Sequence, residues 1–414
     1  MLGTLLADAH WLQALSESQP KALELLSRSP EEQKQRGYFH TLHEICQQPA
    51  TWLNTAERMI SAAPELRALT TGVSTIVLTG SGSSEIIGDC ARPLLRRELG
   101  IAVEVIGGGA LLTFGEEALP PSRPALVISV SRSGGSPESV GAILQLLKPE
   151  VRHLVLTCNQ QGRLAEDFRD HPQVRVITLD DATNDRSLAM TSSFTNLLLA
   201  ASSVGFVHAP ERYLAICEKL SEVGKLFLRM HVGALATVAA SGFRRAVFLG
   251  SGARLGAARE CGLKMLEMTA GAVATLCESY LGFRHGPMSF AHSDTLIVCL
   301  LSSDPLLRAY EFDLLAELDQ KDLGLLKVLV GENIPRTLAR ENDVILECPG
   351  LSQLEDNQVA AIHVIAGQWL AFFRCLEEGL RPDSPSEDGV INRVVQSFTL
   401  HTPASQTRAS GEEK

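Results

Sequence analysis

The sequence predicts an α/β protein built from two tandem units, each a doubly wound parallel sheet flanked by helices. Three observations predict it. Short apolar runs, such as Thr75-Ile-Val-Leu-Thr79 and Pro124-Ala-Leu-Val-Ile-Ser-Val130, alternate with helical patterns. Strands that are apolar on both faces belong to parallel sheets covered by helices. The pattern then occurs twice, as strand, Gly-Ser-Gly turn, helix, strand and Ser-rich loop: Gly80 precedes Ser131 by 51 residues, and Gly250 precedes Ser302 by 52. Finally, Gly 33 and only 5% aromatic residues in 414 suit helices packed on sheets better than an aromatic-rich β sandwich.

The elements follow in order. Residues 1 to about 69 read as helix, with Leu5, Leu12, Leu15 and Leu23 at helical spacing and turns expected at Ser29-Pro30 and Gln48-Pro49. Strands are expected at 75–79, 103–106, 124–130, 153–157 and 174–178. In the second unit they fall at 245–249, 295–300, 325–330 and 344–346, and a long helix at 357–378 closes it. A Pro/Ser-rich tail ends the chain, with one β-like stretch at Val394 to Thr399. The expected division is a helical segment 1–55, a first unit 56–205, a connecting helix 206–235, a second unit 236–379 and a tail 380–414.

Composition excludes several functions. A formal charge of −11 argues against nucleic acid, because phosphate backbones demand clustered Lys and Arg. The nine cysteines are odd in number and widely spaced, without a C-x-x-C pair, so neither disulfides nor a zinc site is expected. There is no basic n-region at the start and no apolar run of the roughly 18 residues a membrane span needs. A cytoplasmic protein with no metal and no membrane contact is expected. A dinucleotide fingerprint would need glycine at positions 85 and 255, which hold Glu85 and Leu255, so no nicotinamide or flavin cofactor is expected.

The loop Ser131-Arg-Ser-Gly-Gly-Ser136-Pro-Glu138 is more specific. Ser136 suits an N-cap, and Pro137 the first helical position. With the hydroxyls of Ser131, Ser133 and Ser136, the loop suits a phosphate monoester at a helix N-terminus. Taken alone it could be a capped helix with solvated serines. Ser83 and Ser84, at another strand end of the same sheet, favour the ligand, since open α/β sheets bind ligands there. In the second unit Asp304 stands where an anion would be repelled. There the helix carrying Lys264 and Glu267, three apart and so on one face, and the loop Glu278 to Pro287, with Arg284 and His285, stand out. Singly, Glu267 reads as an ion-pair partner of Lys264 and His285 as a loop histidine.

Together, Ser131-Arg-Ser-Gly-Gly-Ser136, Lys264-Met-Leu-Glu267 and Arg284-His-Gly-Pro287 resemble the sugar isomerase (SIS) domain family. The tandem arrangement is similar to the isomerase half of glucosamine-6-phosphate synthase. It resembles still more the galactosamine-6-phosphate deaminase/tagatose-6-phosphate ketose-aldose isomerase family, through Glu44-Ile-Cys-Gln-Gln-Pro49, Thr183-Asn-Asp-Arg186, Met190 to Thr195, Leu281 to Pro287 and Asn392 to Gln396. The resemblance implies two tandem SIS domains. It implies that Ser83, Ser84, Ser131, Ser133 and Ser136 hold a sugar phosphate, with Thr191, Ser192 and Arg284 also near the substrate. It implies that Glu267 moves a proton between C1 and C2, with Lys264 beside it. His285 would assist ring opening from the neighbouring subunit of a homodimer or higher homo-oligomer.

Three departures sharpen the expectation. The chain starts Met1-Leu2, without an N-terminal cysteine nucleophile, so release of ammonia is expected rather than its capture from glutamine. Gln396 stands where the synthase has its Schiff-base lysine, so no imine to the protein is expected there. Met288 follows Gly286-Pro287, where this group often has lysine. Met265, Leu266 and Met268 flank Glu267 and are expected to provide the apolar setting that suits a carboxylate base. The expected reaction is conversion of galactosamine 6-phosphate to tagatose 6-phosphate and ammonia. The alternatives are tagatose-6-phosphate ketose/aldose isomerisation without deamination and a non-catalytic sugar-phosphate sensor.

Overall fold

The computed structural model describes residues 24–386, 388–394 and 401. The first 23 residues, the stretch 395–399 and Gln396 within it lie outside the described residues. After a helical stretch at 24–26 come α1 (Pro30–Gln35), α2 (Phe39–Ser61) and α3 (Ala63–Thr70). The turn expected at Ser29-Pro30 is a helix start, closed by a capping box between Ser29 and Glu32 with Pro30 in the first turn. The turn expected at Gln48-Pro49 does not form, and α2 runs straight through it. Pro49 cannot donate to the carbonyl of Ile45, but the Gln48 side-chain amide does so at 3.0 Å. That substitution removes the main reason for the helix to stop.

The first sheet unit runs β1 (Thr75–Thr79), α4 (Ser83–Leu99), β2 (Ala102–Val105), α5 (Gly108–Phe114), β3 (Ala125–Ser131), α6 (Pro137–Gln145), β4 (Val151–Thr157), α7 (Arg163–Phe168) and β5 (Val174–Thr178). Helices α8 (Ser192–Ser203) and α9 (Pro210–Ala239) lead to the second unit. It runs β6 (Arg245–Leu249), α10 (Ala253–Met268), β7 (Ala274–Glu278), α11 (Tyr280–Phe283), β8 (Thr295–Leu300), α12 (Pro305–Gln320), β9 (Leu326–Gly331), β10 (Val344–Glu347) and α13 (Ala360–Glu377).

Both sheets are parallel and five-stranded. Their orders, β2-β1-β3-β4-β5 and β7-β6-β8-β9-β10, are the same order repeated. The turns after β1 and β6 match as well: Gly82 has φ 59 and ψ −128, and Gly252 has φ 59 and ψ −129. This is a region only glycine enters readily. The duplication read from the Gly-Ser-Gly spacing is therefore structural.

Strand β7 was not expected. It is an edge strand, partly open along its length, and its Ala-Thr-Leu-Cys-Glu sequence lacks the apolar run of the central strands. Helix α13 is buried at every residue from Ala360 to Cys375, as befits a helix packed on all sides. At Gly367 a Cβ would lie 2.3 Å from the Cys261 sulfur, so glycine lets α13 approach α10. One continuous apolar core, containing Ile76, Trp52, Phe248 and Trp369, spans both units. All nine cysteines are free thiols. No helix among the described residues is long and apolar enough to cross a membrane.

Candidate active site

In a sheet of this order the crevice opens where the strand order reverses, between the ends of β1 and β3. Both serine loops lie there. After β1, a Cβ on Gly80 would sit 2.6 Å from the Ser84 carbonyl carbon, so the turn into α4 needs glycine. After β3, Ser131 Oγ accepts from the Gly134 N–H at 3.0 Å and Ser133 Oγ from the Gly135 N–H at 3.2 Å. Ser136 occupies the N-cap position of α6, as expected, but its hydroxyl bonds Ser139 Oγ at 2.8 Å and caps nothing. No side chain caps the start of α6 by a hydrogen bond, although Glu138 lies in its first turn.

These serines line a cavity of about 900 Å³. Ser81, Ser83, Ser84, Ser131, Ser133 and Ser136 form one wall, and Leu263, Leu266 and Glu267 of α10 face them. A later segment of the same chain, through Pro385, Ser386, Asp388 and Val390 to Val394, forms a third side. Arg393 anchors it, donating to the Asp185 carbonyl at 2.8 Å and Asn184 Oδ1 at 2.7 Å, while buried Arg132 donates to the Arg393 carbonyl at 2.7 Å. Glu138 also lines the cavity, with its Oε2 buried and without a hydrogen-bond partner among the described residues.

Helix α10 places Glu260, Lys264 and Glu267 on one face, four and three residues apart. The Lys264 ammonium is fully buried. It pairs with Glu267, lies 3.3 Å from Glu260 Oε1 and donates to Ser83 Oγ at 2.9 Å. Ser83 Oγ in turn donates to Glu260 Oε1 at 3.1 Å. Burial alone would lower the Lys264 pKa, but the two carboxylates outweigh it and raise it. Burial pushes Glu260 up to about 7, with Lys264 opposing and Glu267 adding to the shift. Glu267 is the member of the trio that reaches the cavity, with its side chain 22% exposed. The apolar setting differs from the expected one: Met265 and Met268 point into the core, and Leu263 joins Leu266 at the cavity wall.

Four expected site residues are not brought to this wall. Thr191 and Ser192 are fully buried behind it. The Thr191 N–H donates to Asp185 Oδ2 at 2.7 Å, and Ser192 Oγ accepts from Asn196 at 3.2 Å. This hydroxyl-rich segment serves the fold instead, because Asp185 and Glu44 take up its donors. Glu44 accepts from Ser187 and from the backbone of Arg186. Arg284 is exposed and donates to Glu317 at 2.8 Å on α12. His285 is exposed on the loop after α11 and does not line the cavity of its own chain.

Sequence reasoning missed Glu260, Glu138, Arg132 and Arg393. Glu260 carried a readable signal, one helical turn before Lys264 on the same face. Arg132 and Arg393 did not, since their partners lie far away in sequence.

Comparison with known proteins places this arrangement. No protein-family model matches the chain. A relative from Streptomyces coelicolor is 37% identical over 377 residues, covering 88% of this chain and 95% of its own length. The D-galactosamine-6-phosphate deaminase AgaS of Shewanella sp. (strain ANA-3) is 34% identical over 390 residues, 90% of this chain and 94% of its own. The crystal structure of tagatose-6-phosphate ketose/aldose isomerase from Escherichia coli superposes with a TM-score of 0.79 at 29% identity, covering 87% of this chain and 96% of that one. Matches at this identity extend over about nine-tenths of the chain, and the chain belongs to the D-galactosamine-6-phosphate deaminase (AgaS) family.

Proposed function

We propose that the cavity converts galactosamine 6-phosphate and water to tagatose 6-phosphate and ammonia. One observation carries the reading: Glu267 and the serine loops line the same cavity, and Lys264 ties the base to Ser83 of a loop. The first unit holds the phosphate at Ser83, Ser84, Ser131, Ser133 and Ser136 and the start of α6. Binding energy from the phosphate, remote from the reacting carbons, fixes C1 and C2 against α10. Leu263 and Leu266 make that face of the cavity apolar.

In the open-chain substrate, Glu267 takes the C2 proton and returns it to C1 through an enolamine. The amine becomes a C2 imine, water adds to it, and ammonia leaves to give the C2 ketone. Lys264, buried behind Glu267, is a positioning residue that holds the carboxylate toward the cavity. Glu138, with an unused acceptor in the wall, takes a sugar hydroxyl. His285 of a second copy of the chain moves the ring-oxygen proton, so the active assembly is a dimer or larger. Free thiols throughout suit a reducing cytoplasm.

Incubation with galactosamine 6-phosphate, glucosamine 6-phosphate and tagatose 6-phosphate, followed by assay of ammonia and sugars, tests this. Ammonia with tagatose 6-phosphate from the first substrate is the expected result. Aldose–ketose interconversion without ammonia would assign simple isomerisation, and binding without turnover would assign a sensor.

A further inference from the structure

The second sheet has its own reversal point, between the ends of β6 and β8. By the duplication it is the counterpart of the crevice where the first sheet presents its serines. Arg254 stands where the first unit has Ser84: a Cβ on Gly250 would lie 2.2 Å from the Arg254 carbonyl oxygen, as one on Gly80 would crowd Ser84. The donors of a phosphate site are present here too. They are the Ser302 hydroxyl and N–H, the Ser303 N–H and the Arg254 guanidinium, which is fully buried.

The serine donors are given to carboxylates of the same chain, and Arg254 forms ion pairs with the same two acids. Asp356, in the loop between β10 and α13, accepts from the Ser302 hydroxyl and from the Ser303 N–H at 3.1 Å, and lies 3.1 Å from Arg254 Nη2. Glu311 of α12 accepts from the Ser302 N–H at 2.7 Å and lies 3.0 Å from the same Nη2. Asp304 caps α12, accepting from the N–H groups of Leu306 at 2.9 Å and Leu307 at 3.0 Å, where Ser136 leaves the start of α6 uncapped.

The fit of these internal ligands is incomplete. Arg254 Nε, Nη1 and Nη2, the last in spite of its ion-pair distances to both acids, and both ring nitrogens of buried His363 have no hydrogen-bond partner among the described residues. Asp356 is also the one acid of the pair that reaches solvent, with a side chain 25% exposed against 1% for Glu311.

We infer that the second reversal point is an oxyanion site occupied by the chain's own Asp356, whose carboxylate stands where a phosphate would bind. A serine hydroxyl, a backbone N–H and a guanidinium converging on one exchangeable carboxylate form the donor set a phosphate monoester uses. Burial pushes Glu311 up to about 7, so this second acid can be protonated beside an incoming anion. The consequence is one sugar phosphate per chain although the fold is duplicated: the second crevice is closed from within.

The test counts inorganic phosphate bound per chain by equilibrium dialysis, for the full-length wild type, Asp356→Ala and Asp356→Asn. Asp356→Ala should bind one phosphate more than the wild type. Asp356→Asn still fills the site but keeps one acceptor oxygen where Ser302 and Ser303 use two, so it should bind the extra phosphate more weakly than Asp356→Ala. Equal counts for the wild type and folded Asp356→Ala would overturn the inference. If Asp356→Ala does not fold in phosphate-free buffer, recovery of its near-ultraviolet circular dichroism on adding phosphate supports the inference, and failure to recover overturns it. The readout is a difference between variants. A wild type that binds no phosphate would count against the first cavity's reading, not against this one.

Discussion

Lys264 Nζ donates to Ser83 Oγ at 2.9 Å across 181 positions of sequence. Ser83 opens α4 in the first unit, and Lys264 lies on α10 in the second. The two helices cross in opposite directions: Asp89 pairs with Arg259 at 2.7 Å, and a Cβ on Gly256 would meet Cys90 Sγ at 2.7 Å. The serine turn after β1 is therefore one buried hydrogen bond from the ammonium that pairs with Glu267. In a water-excluded site such a bond is held more rigidly than at the surface.

Glu267→Gln should lower kcat by about 10²–10⁴-fold, the usual worth of a positioned proton-transfer group. KM should change little, because the serine loops supply the binding. Solvent deuterium should enter C1 of the ketose product with the wild type and not with the variant. Near-normal turnover with a lowered Tm would make Glu267 an ion-pair partner only.

Lys264→Met should cost stability. Removing one partner of a buried ion pair leaves Glu260 uncompensated, and such losses run to about 3–5 kcal/mol. Adding Glu260→Leu should recover much of the Tm, because the stranded charge is gone, while activity stays lost. A single variant as stable as the wild type in denaturant titration would contradict the buried network.

Ser133→Ala should weaken the phosphorylated sugar, since a hydrogen bond to a charged group is worth about 1.5–3 kcal/mol. Stability should change little, because Ser133 is half-buried and the Gly135 N–H that it accepts from can turn to water instead. The unphosphorylated sugar should be a far poorer ligand of the wild type. Calorimetric titration giving equal affinities with and without phosphate would remove the assignment.

Glu44 sets a pH dependence. Burial first, and then the charge of Asp185, push its carboxyl from 4.5 up to about 8. The folded chain thus holds this proton more tightly than the unfolded chain. Its contribution to stability is complete below about 4.5 and is lost as pH rises toward about 8. The Tm should therefore fall between these limits, and Glu44→Gln should flatten that part of the profile. Parallel Tm profiles for the two proteins would contradict the shift.

The sequence by itself determined the two parallel sheets, their duplication and the serine loops at their strand ends. These depend on local causes: apolar runs long enough for a buried strand, glycine at turns that exclude a Cβ, and proline just inside a helix. Only tertiary structure decided the rest. Strand β7 escaped notice because an edge strand needs no strong apolar run of its own. Pro49 failed to end α2 because the Gln48 amide replaced the missing donor. Thr191 and Ser192 look like ligand hydroxyls until Asp185 and Glu44 are seen to surround their segment. Glu260 became a buried acid only when α4 closed over α10, and the tail became a cavity wall only through Arg132 and Arg393. Hydrogen bonds between distant segments carry no periodicity and no spacing rule. They are set by which surfaces meet, and that follows from the packing of the whole chain.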